Sequence, residues 1–266
     1  MRLRIHHRTT YSYAGPVTYG LQQLRLTPKS RMGQTVLTWR TRIEGGRREL
    51  DYDDQHMNHV MLISFSGEGQ EIRVISEGEV ETTDTNGVVG RHAGFAPLWY
   101  FRRQTARTRP GAGVRGLIKG LAAEHDEPIG MFHALSARVH EALPWQTGQT
   151  TWQTTAEEAL ALGSGVCQDH AQVFCAAARQ MGYPARYVSG YLMMDDRVNQ
   201  EASHAWVEVH VEPLGWVGYD ISNGISPDAR YVRVATGLDY GEAAPVTGLH
   251  WGAQGESMAV DIQVQQ

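Results

Sequence analysis

The hydrophobic period of this chain changes twice along its 266 residues, and that change constrains the fold more than any other feature. Up to about residue 90, β-formers fall in short alternating or apolar runs: residues 2–13, 35–43, 60–65 and 71–80. Turn formers separate them, at Gly15-Pro16, Thr27-Pro28, Gly45-Gly46, Gly67-Glu68-Gly69 and Asn86-Gly87. Alternation between such punctuation specifies antiparallel strands with one buried face. In the middle of the chain the period becomes helical. Ile129, Phe132, Leu135, Val139 and Leu143 recur at helix spacing behind Pro128, a residue suited to the first helical turn. Beyond Pro184 strands return, over residues 187–192, 204–212, 216–222, 231–234 and 259–264. Helices followed by a run of strands give an α+β protein, not an alternating parallel sheet.

The composition divides the chain in the same places. Residues 1–90 read as an N-terminal antiparallel β module, residues 91–116 as an Arg-, Gly- and Pro-rich connector, and residues 117–266 as a second domain. Within that domain Thr155 and Glu158 form a capping box ahead of Ala159-Leu160-Ala161-Leu162, and Gly163 ends the short helix. A longer helix spans residues 167–181, with Ala171, Phe174, Cys175 and Ala178 on its core face.

Bulk properties exclude several partners. The formal net charge is -5, which gives no electrostatic case for nucleic acid or an anionic membrane. No stretch approaches the ~18 apolar residues of a membrane span, and the first residues lack the apolar run of a signal peptide. Cys167 and Cys175 are the two cysteines. On one helix they lie about 12 Å apart, beyond the reach of a disulfide. Two reduced thiols lead us to expect a cytoplasmic protein.

One of those thiols stands in a reactive position. Cys167 follows Gly163-Ser164-Gly165-Val166 and begins a helix. A helix N-terminus favours a thiolate through its unpaired N–H groups and the macrodipole, and the same N–H groups can face an oxyanion. The bland alternative is a buried structural cysteine. His204 opens a strand 37 residues later, and Asp220 closes the next one. If the two strands pair, Asp220 accepts the Nδ1 hydrogen of His204 and leaves Nε2 to the thiol. Equidistance from a turn at Pro213 to Gly215 leaves a register offset, to be absorbed by a bulge or a wider loop.

The segments around these residues resemble the bacterial transglutaminase-like proteins. The likeness is carried by Gly165-Val166-Cys167-Gln168-Asp169, Gly182-Tyr183-Pro184-Ala185-Arg186, Ala202-Ser203-His204-Ala205-Trp206-Val207 and Gly215-Trp216-Val217-Gly218-Tyr219-Asp220. His7-Arg8-Thr9-Thr10-Tyr11 and Leu24-Arg25-Leu26-Thr27-Pro28 are similar to the β region that precedes the catalytic domain in that family. The resemblance implies a papain-like core, a cysteine-bearing helix on an antiparallel sheet, with Cys167, His204 and Asp220 as its triad. It implies cysteine protease or transglutaminase chemistry on a protein or peptide, with no metal or organic cofactor. Trp145, Trp152, Gln168 and Trp206 join the triad as cleft candidates. His170 and Gln172 stand where the family usually carries an aromatic residue and a histidine, Ile221-Ser222 where it carries Pro-Thr, and Leu238 where it carries arginine.

Other signals carry less. Gly111-Ala112-Gly113-Val114-Arg115-Gly116 matches a dinucleotide fingerprint but lacks a strand before it. Arg102, Arg103, Arg107, Arg109 and Arg115 read as a solvated connector before an acidic-peptide groove. Asp53, Asp54, His56 and His59 are spaced poorly for joint metal ligation, and no acidic loop suggests calcium. The competing function is a silent protein- or peptide-binding module of the same fold. A third reading makes the N-terminal β module the element that docks a protein partner.

Overall fold

The computed structural model describes residues 1–67, 71–252 and 255–266, so Glu68 and Gly69 of the turn expected at Gly67-Glu68-Gly69 lie outside the described residues. The first third is strands: β1 (Arg2–Tyr13), β2 (Val17–Thr27), β3 (Gln34–Glu44), β4 (Arg47–Asp53), β5 (His59–Gly67), β6 (Glu71–Thr82) and β7 (Val88–Gly90). Helices follow: α1 (Ala112–Ile118), α2 (Leu121–Glu124), α3 (Pro128–Ala142), α4 (Ala156–Leu162) and α5 (Cys167–Gln180). The rest is β8 (Ala185–Leu192), β9 (Asn199–Gln200), β10 (His204–Val211), β11 (Gly215–Tyr219), β12 (Tyr231–Gly237), α6 (Tyr240–Ala243), β13 (Val246–Trp251) and β14 (Glu256–Gln265).

These strands make three sheets, ordered β3-β6-β1-β14-β9, β13-β2-β5-β4 and β12-β8-β10-β11-β7. Their pairing crosses the boundaries drawn from composition. β13 and β14, from the end of the chain, pair with β2 and β1. β7, from residues 88–90, pairs with β11 in the third sheet. The connector is partly helical, because α1 begins at Ala112. Composition marks neighbours along the chain, whereas a closing strand is recruited by the free edge it satisfies.

One face of β1 organises the whole molecule. Its odd-numbered residues point the same way, as the period of two requires. Leu3 and Ile5 pack with Tyr191, Val232 and Val234 of the third sheet. Tyr11 and Tyr13 pack with Val17 and Phe65 of the second sheet. Each fully buried Leu or Ile contributes about 1.5–3 kcal/mol relative to exposure. Between these two contacts lie His7 and Thr9, where a cleft opens.

Helix α5 is the centre of the other core. Ala171, Ala176, Ala177 and Ala178 are small enough to let β10 and helices α1, α3 and α4 approach on several sides, and residues 169–179 are buried all round. Val173, Phe174 and Cys175 meet Val207, Val209 and Tyr219 of the third sheet. The α4 capping box forms as read, with Thr155 and Glu158 bonded reciprocally and Gly163 left-handed at the end. At the β10–β11 turn, Gly215 has φ +84°, and an added Cβ would lie 2.2 Å from the Gly90 oxygen. That position requires glycine.

Candidate active site

A cleft of about 620 Å³ lies between the three sheets and the N-terminus of α5. Cys167, Gln168 and His204 line it, with Trp145 at its mouth. Cys167 is the first residue of α5 and half-buried. The helix start is held by Asp169, whose carboxylate accepts from the Val166 N–H at 2.9 Å and the Thr150 hydroxyl at 2.7 Å. Burial raises the Asp169 carboxyl, and these donors offset part of that rise. Gln168 presents a buried Nε2 without a partner among the described residues.

His204 and Asp220 come from adjacent strands, but not by the geometry that turn-counting suggests. β10 and β11 pair without interruption from Val207 opposite Tyr219 to Val211 opposite Gly215. Continued by one residue, that register sets Asp220 level with Trp206, two residues from His204 and on the same face. No bulge is needed, because a diagonal pair two residues out of register remains within side-chain reach. The ring nitrogens are also exchanged relative to the expectation. Nε2 of His204 bonds Asp220 Oδ2 at 2.6 Å, which leaves Nδ1 as the nitrogen available to the thiol. Diagonal reach extends the imidazole towards Asp220, so its distal nitrogen makes the contact.

Asp220 is completely buried and heavily bonded. Besides His204, its Oδ2 accepts from the Tyr231 hydroxyl at 2.6 Å and from Asn223 Nδ2 at 2.7 Å, and its Oδ1 accepts from the Asn223 N–H at 3.2 Å. Burial raises the Asp220 carboxyl, but these bonds and the His204 charge prevail and hold it low. Burial likewise lowers His204. Hydrogen bonding to Asp220 and Cys167, with their charges, outweighs it and raises the imidazole to about 10. Tyr231 keeps its proton, since burial and the Asp220 charge both push its hydroxyl up. No sequence signal ties Tyr231 or Asn223 to Asp220. The two side chains reach it from beyond β11, across a turn closed by the Asp220–Ile225 bridge.

Comparison with known proteins identifies the family and the fold that carry these residues. Residues 115–221 match the model of the transglutaminase-like superfamily, and residues 3–81 match that of the bacterial transglutaminase-like N-terminal region. An uncharacterized protein of Mycobacterium leprae is 30% identical over 99% of this chain and 98% of its own length. An uncharacterized protein of Mycobacterium tuberculosis is 27% identical, over 99% of this chain and 91% of its own. The chain belongs to the transglutaminase-like superfamily. Its fold is shared with a solved structure named as a putative cysteine protease from Cytophaga hutchinsonii, at TM-score 0.75 and 16% identity, covering 100% of this chain and 98% of that one.

Within this transglutaminase-like frame, two of the residues that depart from the usual pattern, His170 and Ser222, bond each other, and the others are held by the surrounding structure. His170 Nδ1 bonds the Ser222 hydroxyl at 2.8 Å, and its Nε2 bonds the Leu143 carbonyl at 2.7 Å. Gln172 donates to the Thr154 carbonyl, and Leu238 packs with Phe101 and Trp216. Two cleft candidates lie elsewhere. Trp152 sits beneath the Arg107 guanidinium, 5.5 Å from its ring centroid, away from the cleft lining. Trp206 is buried and stacks beside His204 at 6.2 Å, so it packs against the imidazole and does not line the cavity. The cleft instead gains His7, Thr9, Tyr11, Met258 and Val260 from β1 and β14, which sequence reasoning had assigned no part in it.

The remaining motifs are absorbed into structure. The N–H groups of Gly111, Gly113 and Val114 all donate to the Glu157 carboxylate, which occupies the place a phosphate would take. His56 bonds Glu242 at 2.7 Å, while His59 lies beside Asp51 and Asp53. Among the described residues no helix is long and apolar enough to cross a membrane.

Proposed function

We propose that this protein is a cysteine-dependent acyl-transfer enzyme acting on amide bonds of a protein or peptide, through Cys167, His204 and Asp220. The observation that carries the reading is a buried, fully bonded carboxylate against one nitrogen of an imidazole, whose other nitrogen is free for a thiol at a helix N-terminus in the same cleft. Nδ1 of the raised His204 imidazole holds the proton taken from the thiol, and Sγ attacks the carbonyl carbon as the thiolate of that ion pair. Asp220 stabilises the resulting imidazolium and fixes the ring. In this reading the Cys167 N–H and Gln168 Nε2, which has no partner among the described residues, receive the oxyanion. Collapse breaks the C–N bond, and the leaving amine takes the proton from Nδ1. The thioester then passes to water or to a second amine by the reverse sequence. These steps give peptide hydrolysis, deamidation of glutamine, or transamidation.

The test is iodoacetamide alkylation at neutral pH, read separately at Cys167 and Cys175 by peptide mass spectrometry, in wild type and His204→Ala. Cys167 should react far faster than Cys175, and the substitution should slow it by about 10²-fold or more, the range of general-base catalysis. Equal inertness of both thiols, or indifference to His204→Ala, would leave the fold as a silent binding module. A reactive Cys167 then justifies profiling with peptide substrates and glutamine donors.

A further inference from the structure

The cleft wall formed by β1 contains a hydrogen-bond chain that the chemistry above does not use. Tyr191, completely enclosed against Leu3, Ile5 and Val232, lies 2.9 Å through its hydroxyl from Nδ1 of His7. Nε2 of His7 lies 3.1 Å from the Thr9 hydroxyl. His7 and Thr9 both line the cleft, yet each is 2% exposed.

The direction of the chain follows from where an unsatisfied proton can be tolerated. Burial, with the neighbouring His6 charge, lowers His7 to about 4, so at neutral pH it has one N–H. If that hydrogen were on Nδ1, the Tyr191 hydroxyl would accept it and its own proton would have no acceptor in an apolar enclosure. Burial raises Tyr191 well above the usual phenol range, so that proton cannot be shed. An orphaned buried donor carries its full desolvation cost. The opposite order leaves nothing stranded. Tyr191 donates to Nδ1, the hydrogen on Nε2 goes to the Thr9 oxygen, and the Thr9 proton points to the one place with an acceptor to offer, the cleft. Among the described residues Thr9 Oγ1 has no other side-chain partner.

We propose that Thr9 is a substrate-positioning residue: its hydroxyl, oriented by His7 and Tyr191, donates to a carbonyl oxygen of the peptide flanking the amide that Cys167 attacks. The N-terminal β region thereby forms part of the substrate site itself. On the same lining Tyr11, Val246, Met258 and Val260 are uncharged, which suits an uncharged stretch of polypeptide beside Thr9, while Arg197 and Glu201 line the part of the cleft contributed by the segment between β8 and β10. The inference rests on the reading of Cys167 as nucleophile, and two reagents separate the two claims.

Iodoacetamide is too small to engage Thr9, whereas an N-blocked dipeptide chloromethyl ketone occupies the cleft before alkylating Cys167. In Thr9→Val, KI for the ketone should rise by about three- to tenfold, the worth of one neutral hydrogen bond. The limiting inactivation rate and the iodoacetamide rate should stay within twofold. Thr9→Ser should restore KI, and Tyr191→Phe should raise it with Thr9 intact. An unchanged KI in Thr9→Val with iodoacetamide reactivity preserved overturns the role of Thr9 alone. A parallel loss with both reagents assigns Thr9 a structural part and also overturns it. A wild-type Cys167 no more reactive than Cys175 removes the nucleophile and this inference with it.

Discussion

Acidification should destabilise this protein through His7, by an amount its burial sets. On folding, burial and the charge of His6 move the imidazole from 6.5 to about 4. Above pH ~6.5 neither the folded nor the unfolded chain is protonated there, and the contribution is fully present. Between the two values only the unfolded chain binds the proton, so stability falls as pH falls and the loss is complete below the folded value. At about 1.4 kcal/mol per pH unit, the loss is on the order of 1 kcal/mol at pH 5.5 and about 3 kcal/mol at pH 4. Carboxylates titrate in the same range, so the measurement is a difference. Urea unfolding of wild type and His7→Gln at pH 7.5, 5.5 and 4 isolates the residue, because the variant retains every other group. The stability advantage of wild type over His7→Gln should shrink by those amounts as pH drops. A gap that stays constant from pH 7.5 to 4 would refute both the buried neutral imidazole and the direction assigned to the Tyr191–His7–Thr9 chain.

Asp220→Ala should cost about 3–5 kcal/mol in urea unfolding at neutral pH, since it strands the buried His204, Tyr231 and Asn223 groups bonded to it. In wild type the His204 contribution should be full below pH ~6.5 and be lost as pH rises through the raised folded value, an alkaline limb that Asp220→Ala should flatten. Cys175 is completely buried and its thiol is pushed up to about 11, chiefly by burial and against the pull of Arg179. It should resist iodoacetamide at neutral pH in the native state and label fully in denaturing urea. Glu157→Ala leaves three N–H groups at the start of α1 without their acceptor and should lower stability by about 1–3 kcal/mol, read by thermal unfolding.

Local rules performed well wherever the deciding interactions were local. Pro128 and the apolar spacing behind it gave α3, and Thr155, Glu158 and Gly163 delimited α4 because caps act within one turn. They failed for strands held chiefly by a distant edge. β2, with Gly20 and two glutamines in its middle, and the short β13 have little alternation of their own, yet they pair with each other across more than two hundred residues. Trp152 failed as a cleft residue for the same reason. Its position ahead of Cys167 is a fact of the chain, but Arg107 holds it elsewhere.

By itself the sequence determined the α+β class, the succession of a strand region, a helical region and a second strand region, and the three residues proposed for catalysis, because periodicity, caps and motif order are written along the chain. The tertiary structure alone decided which nitrogen of His204 meets Asp220, and that Tyr231 and Asn223 complete its surroundings. It also decided that β1 supplies a wall of the cleft. Those facts depend on strand register and on which part of a buried face two other sheets leave uncovered. A pattern with period two identifies the face of β1 but cannot say where along it the cover ends.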